Sequence, residues 1–297
     1  MQRFCLIANP AAGGGARLAA AQAALADAGL DAEARLTEGP GSGHALARKA
    51  ASRGAAGVIA CGGDGTVGEV ASGLARTGVP LGILPAGTMN LFAQEIGIPG
   101  RLEAAAALIA AGRTRPVDLG RVSDRTFILC GGAGLDARVL AAVSPSLKRR
   151  LGKFSYYLLA PLEALRYDYP PIQVVVDGGP TLVATQVILA NVRRYGDGYD
   201  LAPASAPDDG LLDACLFLGR GVRDYVRYAS RLRRGRHLTL PDVQLRQGRS
   251  FLLRPANPSD RVPFQLDGDY LCDLPVDVQV LPAAVSVFAP AGDGAAG

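Results

Sequence analysis

The spacing of hydrophobic and polar positions changes part-way along the chain. Through about residue 115, short apolar runs alternate with stretches in helical spacing. Arg3 to Ala8, Ala32 to Leu36, Val58 to Cys61 and Leu81 to Leu84 read as strands. Ala16 to Ala28, a segment ending near Arg53, Val67 to Ala75 and Leu102 to Ala111 read as helices. This alternation predicts a doubly wound parallel sheet with helices on both faces. From about Val117 the runs become short and strand-like: Arg125–Gly131, Ile172–Val176, Leu182–Asn191, Leu211–Phe217, Thr239–Arg246, Ser250–Arg254, Val276–Leu281 and Val285–Phe288. Turns such as Asp177-Gly178-Gly179 and Gln247-Gly248 join them, as in an antiparallel β-sandwich. Two helical inserts, Leu147–Tyr167 and Val222–Arg234, interrupt it. The expected fold is α/β plus β. Residues 1–117 form the parallel-sheet domain and 118–290 the antiparallel β-sandwich, whose last strand could return to the first domain. The Ala/Gly-rich tail, 291–297, is expected to be disordered.

Composition narrows the picture. The chain has 297 residues, 49% hydrophobic and 20% charged, proportions expected of a soluble globular protein with two modest domains. No apolar run reaches the roughly 18 residues that span a bilayer, and the N-terminal apolar stretch is too short for a secretory signal. A cytoplasmic protein is expected. Cys5, Cys61, Cys130, Cys215 and Cys272 lie far apart in apolar runs and form no CxxC pair, so they read as buried free thiols rather than zinc ligands. His44 and His237 alone leave little material for a histidine-based metal cluster or triad. The net charge of +4 is unevenly spread: residues 220–236 hold seven arginines and one acid, Asp224, a local +6.

Three glycine loops follow strands one, three and four: Asn9-Pro10-Ala11-Ala12-Gly13-Gly14-Gly15, Gly62-Gly63-Asp64-Gly65-Thr66 and Pro85-Ala86-Gly87-Thr88-Met89-Asn90. In a doubly wound sheet all three fall at the edge where ligands bind. Glycines let the backbone approach a phosphate, and free N–H groups at a helix start point at it. No lysine follows any loop as a Walker motif requires. Gly63, Gly65 and Gly68 match GxGxxG, but Leu84 to Ala86 stand where a ribose-binding acid belongs about 20 residues on, which disfavours a dehydrogenase.

The string Gly-Gly-Asp-Gly-Thr followed by Val67, Gly68 and Glu69 resembles the signature of the diacylglycerol kinase catalytic-domain family, which includes bacterial lipid kinases and sphingosine and ceramide kinases. The loops at 9–13 and 85–90, Gly131 to Ala137, Leu201-Ala202-Pro203 with Asp208 to Asp213, and Gln265 to Asp269 are similar to further family motifs in the same order, covering nearly the whole chain. The resemblance implies an ATP- and Mg2+-dependent lipid kinase with ATP in a cleft between two domains. By position, the nucleotide contacts would be Asn9, Pro10, Ala11, Ala12, Gly13, Thr37, Gly62 to Glu69 and Thr88. A structural magnesium site would involve Asp209 with backbone oxygens of Ala206 and Leu211, a donor set suited to a hard cation. The catalytic base would fall at Asp269, where the family usually has glutamate; Asp267 and Asp64 are the other carboxylates in reach of that role. The family often has asparagine where Gly68 stands. NAD kinase shares a GGDG loop and a two-domain plan, but its further asparagine–glutamate motif is not apparent. A nucleotide- or lipid-binding protein without catalysis is the reading from another class.

A lipid kinase must reach its substrate at a membrane surface. Arg223, Arg227, Arg231 and Arg234 recur at helical spacing and are expected to contact anionic headgroups at the inner face of the membrane. Lys148, Arg149, Arg150 and Lys153 form a second basic cluster before an apolar stretch, Phe154 to Leu165. No nucleic-acid recognition motif is present. The sequence is silent on oligomeric state, a homodimer included.

Overall fold

The computed structural model describes residues 3–10, 14–144, 147, 150, 152 and 154–290. The chain divides into two compact units, one made of residues up to Leu119 together with those from Leu281 onward, the other of Gly120–Val280.

In the first unit β1 (Phe4–Ala8), β2 (Ala32–Leu36), β3 (Gly57–Gly62) and β4 (Leu81–Pro85) are parallel, in the order β2-β1-β3-β4. Every residue of β3 and β4 is buried, the reason both read as unbroken apolar runs. Helix α1 (Gly14–Asp27) packs against α5 (Leu102–Ala110), and α2 (Ser42–Ser52) against α3 (Asp64–Leu74). A short helix, α4 (Leu91–Glu95), follows β4. The sheet gains a further parallel strand from the far end of the chain. Strand β18 (Val276–Phe288) places Val287 opposite Leu81. Ala283 in β18 has φ 48, and its N–H is held by Asp118 Oδ1 at 2.7 Å, from β5 (Thr114–Val122). The stretch read as two strands is therefore one strand with an irregular backbone position at Ala283.

The second unit holds a six-stranded antiparallel sheet in the order β14 (Val243–Gly248), β13 (Leu212–Phe217), β10 (Gln186–Ala190), β7 (Cys130–Ala133), β16 (Pro263–Leu266), β17 (Asp269–Asp273). A second antiparallel layer is built from β15 (Ser250–Pro255), β8 (Ile172–Val176) and β9 (Thr181–Ala184), beside the first half of β18. Ile172, Val174, Phe251 and Leu253 from one layer meet Val187, Leu189, Leu212 and Phe264 from the other in a single core, a sandwich. Burying each such side chain contributes about 1.5–3 kcal/mol.

Three expected strands are divided. Leu182–Asn191 breaks at Thr185, whose hydroxyl donates to the Gly219 carbonyl at 2.5 Å, so β9 and β10 enter different layers. Arg125–Gly131 becomes β6 (Arg125–Phe127) and β7. Thr239–Arg246 opens as a 3-10 turn, His237–Thr239, before β14. Helices α6 (Leu135–Ala142), α7 (Phe154–Arg166) and α8 (Val222–Leu232) share a smaller core of Leu135, Val139, Ala164 and Tyr169. The tail at 291–297 and most of the expected helix start at 147–153 lie outside the described residues. No described helix is long and apolar enough to cross a membrane.

Candidate active site

The strand order of the first unit reverses between β1 and β3, and ligands bind outside the carboxyl ends of strands at such a point. The loops after these two strands start side by side: the Asn9 N–H donates to the Cys61 carbonyl at 3.2 Å. Helix α3 begins at Asp64, three residues before the expected Val67, with Gly63 as its N-cap and no side chain capping it. Its first N–H groups therefore suit an anion. Gly63 also approaches the loop after β4. A Cβ placed on Gly87 would lie 2.4 Å from Gly63 Cα, so only glycine permits the contact. Asn90 closes that loop, its Oδ1 accepting the Gly87 N–H at 2.9 Å and its Nδ2 donating to the Gly87 carbonyl at 3.0 Å.

Several residues expected at the nucleotide prove to hold the loops instead. The Asp64 carboxylate accepts the Leu91 and Phe92 N–H groups, each at 3.0 Å, and so caps α4. Both of its oxygens are engaged by backbone N–H groups. Glu69 accepts the Gly41 and Gly43 N–H groups at 2.7 and 2.8 Å and fixes the start of α2. Val67 is 3% exposed and belongs to the core. Thr37 and Thr66 are buried, with the Thr37 N–H donated to the Ala8 carbonyl at 3.0 Å. Pro10, Gly65 and Thr88 are exposed, and Gly62 is buried at the strand end. Ala11, Ala12 and Gly13 lie outside the described residues.

The acidic turn of the second unit joins β16 to β17. Asp267, at φ 47, accepts the N–H groups of Ile128, Leu129 and Cys130, each at 2.9 Å. A carboxylate so held clamps the turn to the start of β7. Beside it, the Gly268 N–H donates to Gln265 Oε1 at 2.9 Å, and Gln265 Nε2 donates to Asp136 Oδ2 at 3.2 Å. Asp136 also accepts the Tyr156 hydroxyl at 3.1 Å, and Tyr156 meets Tyr225 at 3.3 Å. Burial raises the Asp136 pKa, opposed by hydrogen bonds from Tyr195, Tyr156 and Gln265. This hidden network fixes the turn, and Asp269 stands exposed at its end. In the sequence Gln265 and Asp136 appear only inside strings similar to family motifs, with no role attached, and the tyrosines are not singled out.

Asp209 Oδ1 accepts the Leu211 N–H at 2.9 Å. Nearby Asp213 is 3% exposed, and its Oδ2 is buried with no hydrogen-bond partner among the described residues. Burial raises its pKa, Asp209 adds to the rise, and Ser205 and Gln247 oppose it by hydrogen bonds. A buried carboxylate oxygen without a partner beside a second carboxylate fits a hard cation. Among the described residues, no cluster of three acidic, histidine or cysteine ligands accompanies it.

Comparison with known proteins gives the family. Residues 3–122 match the model of the diacylglycerol kinase catalytic domain, and 131–289 match the YegS C-terminal NAD kinase beta sandwich-like domain. A diacylglycerol kinase of Mycobacterium tuberculosis is 31% identical over 96% of this chain and 94% of its own length. The chain belongs to the diacylglycerol kinase catalytic-domain family. A second relative, a diacylglycerol kinase of Bacillus subtilis, is 30% identical over 98% of this chain and 97% of its own length. A solved structure described as a diacylglycerol kinase from Bacillus anthracis strain Sterne superposes with a TM-score of 0.76 at 25% identity, covering 97% of each chain. Family membership makes this protein an ATP-dependent lipid kinase. Its likeness to NAD kinase resides in the fold of the second unit.

In this lipid kinase the four arginines expected at a membrane are not equivalent. Arg223, Arg231 and Arg234 are exposed. Arg227 turns inward: it pairs with Asp224 at 2.8 Å and Asp242 at 3.1 Å and lies 5.0 Å over the Tyr228 ring. Its guanidinium is engaged in holding α8 to the start of β14, which removes it from the headgroup set. Lys148, Arg149 and Lys153 lie outside the described residues.

Proposed function

We propose that this protein transfers the γ-phosphate of ATP to a hydroxyl of diacylglycerol or a related glycerolipid, with a sphingoid base or ceramide as the second substrate class. The loops after β1, β3 and β4 bind the nucleotide through backbone N–H groups. Asp269 accepts the proton of the lipid hydroxyl as its oxygen bonds to the γ-phosphorus; the bond to the bridging oxygen breaks and ADP leaves. The observation that carries this assignment is the engagement of the two rival carboxylates, Asp64 and Asp267, by backbone N–H groups. Asp209 and Asp213, with the carbonyl oxygens of Ala206 and Leu211, would hold Mg2+, which would neutralise buried negative charge there. The reaction belongs to phospholipid biosynthesis at the cytoplasmic face of a membrane.

The test is phosphate transfer from labelled ATP to a panel of diacylglycerol, phosphatidylglycerol, sphingosine, ceramide and NAD. Label is expected in diacylglycerol. Label in NAD alone overturns the lipid assignment, and label nowhere supports a binding protein. Asp269→Asn is expected to lower kcat by about 10²–10⁴-fold with little change in the KM for ATP. Asp269→Glu, which restores the residue usual in the family, is expected to keep activity. Full turnover by Asp269→Asn would remove the base assignment.

A further inference from the structure

Helix α7 is apolar on both sides. Its inner side carries Tyr156, Leu159, Ala160 and Ala164 into the small core shared with α6 and α8. Its outer side carries Phe154, Tyr157, Leu158, Leu162 and Leu165 at 66, 47, 62, 41 and 73% exposure. At 100° per residue these side chains, with Pro161, occupy an uninterrupted arc of roughly 140°. The two charged residues of the helix lie outside that arc: Glu163 is buried against Arg138 at 2.7 Å, and Arg166 ends the helix. A helix apolar all round is ordinarily enclosed, and a contiguous exposed apolar stripe marks an interaction surface.

The neighbouring helix says what the surface meets. The Tyr156–Tyr225 hydroxyl contact ties α7 to α8. Val226 of α8 is a further exposed apolar side chain, at 59%. Around it Arg223, Arg231, Arg233 and Arg234 are exposed. The Tyr157 hydroxyl, on the edge of the apolar arc, donates to Asp197, and Arg233 is near enough to act on the same phenol. Asp224, the lone acid of residues 220–236, pairs with Arg227, which Asp242 shares. A second copy of the chain would bring a second set of arginines to the same patch. An anionic bilayer instead accepts the apolar side chains below its headgroups and the arginines at them.

We infer that α7 lies in the plane of an anionic membrane, with Phe154, Leu158, Leu162 and Leu165 below the headgroups and Arg231, Arg233 and Arg234 at them. The inference rests on the lipid-kinase reading for the choice of a bilayer as the partner. It assigns most of the docking to apolar insertion by α7, where the sequence pointed first to the arginines of 220–236 and noted Phe154 to Leu165 only as an apolar stretch after a basic cluster.

The protein contains no tryptophan. Leu158→Trp is therefore a single reporter, and Val183→Trp, at an exposed apolar position on β9, is its control. Vesicles of phosphatidylcholine and phosphatidylglycerol in a two-to-one mixture are expected to shift the indole emission of the Leu158→Trp variant to shorter wavelength. The emission of the Val183→Trp variant is expected to stay in place. Leu158→Glu with Leu162→Glu is expected to weaken sedimentation with these vesicles by ~100-fold or more. Replacing Arg231, Arg233 and Arg234 by glutamine is expected to remove the salt-sensitive part of binding only. Unshifted emission from the Leu158→Trp variant overturns the proposal, as does a dimer of the unmodified protein that Leu158→Glu dissolves. Phosphate transfer to a short-chain, monodisperse diacylglycerol is measured separately. Transfer without vesicle insertion discards the docking surface and keeps the kinase; insertion without transfer to any lipid does the reverse.

Discussion

His237 is 1% exposed, and its Nε2 lies 2.8 Å from the Leu201 carbonyl oxygen, so Nε2 carries the proton and donates. Nδ1 is left buried without a partner among the described residues. Burial lowers the pKa from 6.5, with the Leu201 hydrogen bond opposing it. The folded chain keeps the ring neutral where the unfolded chain would charge it. The unfolded state therefore binds the extra proton, and this contribution to stability is full above pH 6.5 and lost as pH falls below it. The loss approaches about 1.4 kcal/mol per pH unit across the window. His237→Gln keeps a donor for Leu201 and removes the titration. Thermal melts from pH 7 downward should show a flatter profile for the variant than for the unmodified protein; parallel profiles would disprove the linkage. Individual residues were the least legible level of the sequence. Asp64 and Asp267 carry the same carboxylate as Asp269, and nothing in their own spacing reveals that backbone N–H groups from α4 and from Ile128 to Cys130 consume them.

Elements were far more legible, because burial leaves a pattern along the chain. β2 and β8 occupy the residues that periodicity assigns them, and β3 and β4 match within a residue at either end. The errors fall where a run of apolar residues passes from one layer to another. Thr185 looks like any β-branched strand residue, yet its hydroxyl bond to Gly219 marks the crossing from β9 to β10. The glycine loops were legible as loops at the strand ends, but the contact between Gly63 and Gly87 was not. Gly87→Ala places a methyl group 2.4 Å from Gly63 Cα, where both partners are backbone and neither can rotate away. It is expected to cost about 1–3 kcal/mol of stability and to weaken ATP binding by at least ~10-fold, read by melting and calorimetry. Gly65→Ala meets no atom within 4 Å and is expected to leave the melting temperature nearly unchanged.

At the scale of the whole molecule, the first unit is discontinuous in sequence. Leu281, Ala284, Val285, Val287 and Phe288 are buried in it, and the Arg76 N–H donates to the Ala284 carbonyl at 2.7 Å. A chain truncated after Val280 is expected to lose nucleotide binding and the melting transition of the first unit, while Gly120–Val280 retains its antiparallel structure. Calorimetry with and without ATP checks this, and a truncated chain that still binds ATP would refute it. The parallel and antiparallel halves were visible in the sequence because strand–helix alternation and strand–turn repetition differ over tens of residues. The return of the last strand was legible only as an open alternative, because an apolar run does not say which sheet it joins. That return also sets an order of events during synthesis. Gly120–Val280 is contiguous and can close as it is made, whereas β4, apolar and buried along its length, waits with one edge unpaired until Leu281–Phe288 arrives. The first unit is begun first and completed last, and in that interval its open strand edge is the part of the nascent chain most exposed to wrong pairing.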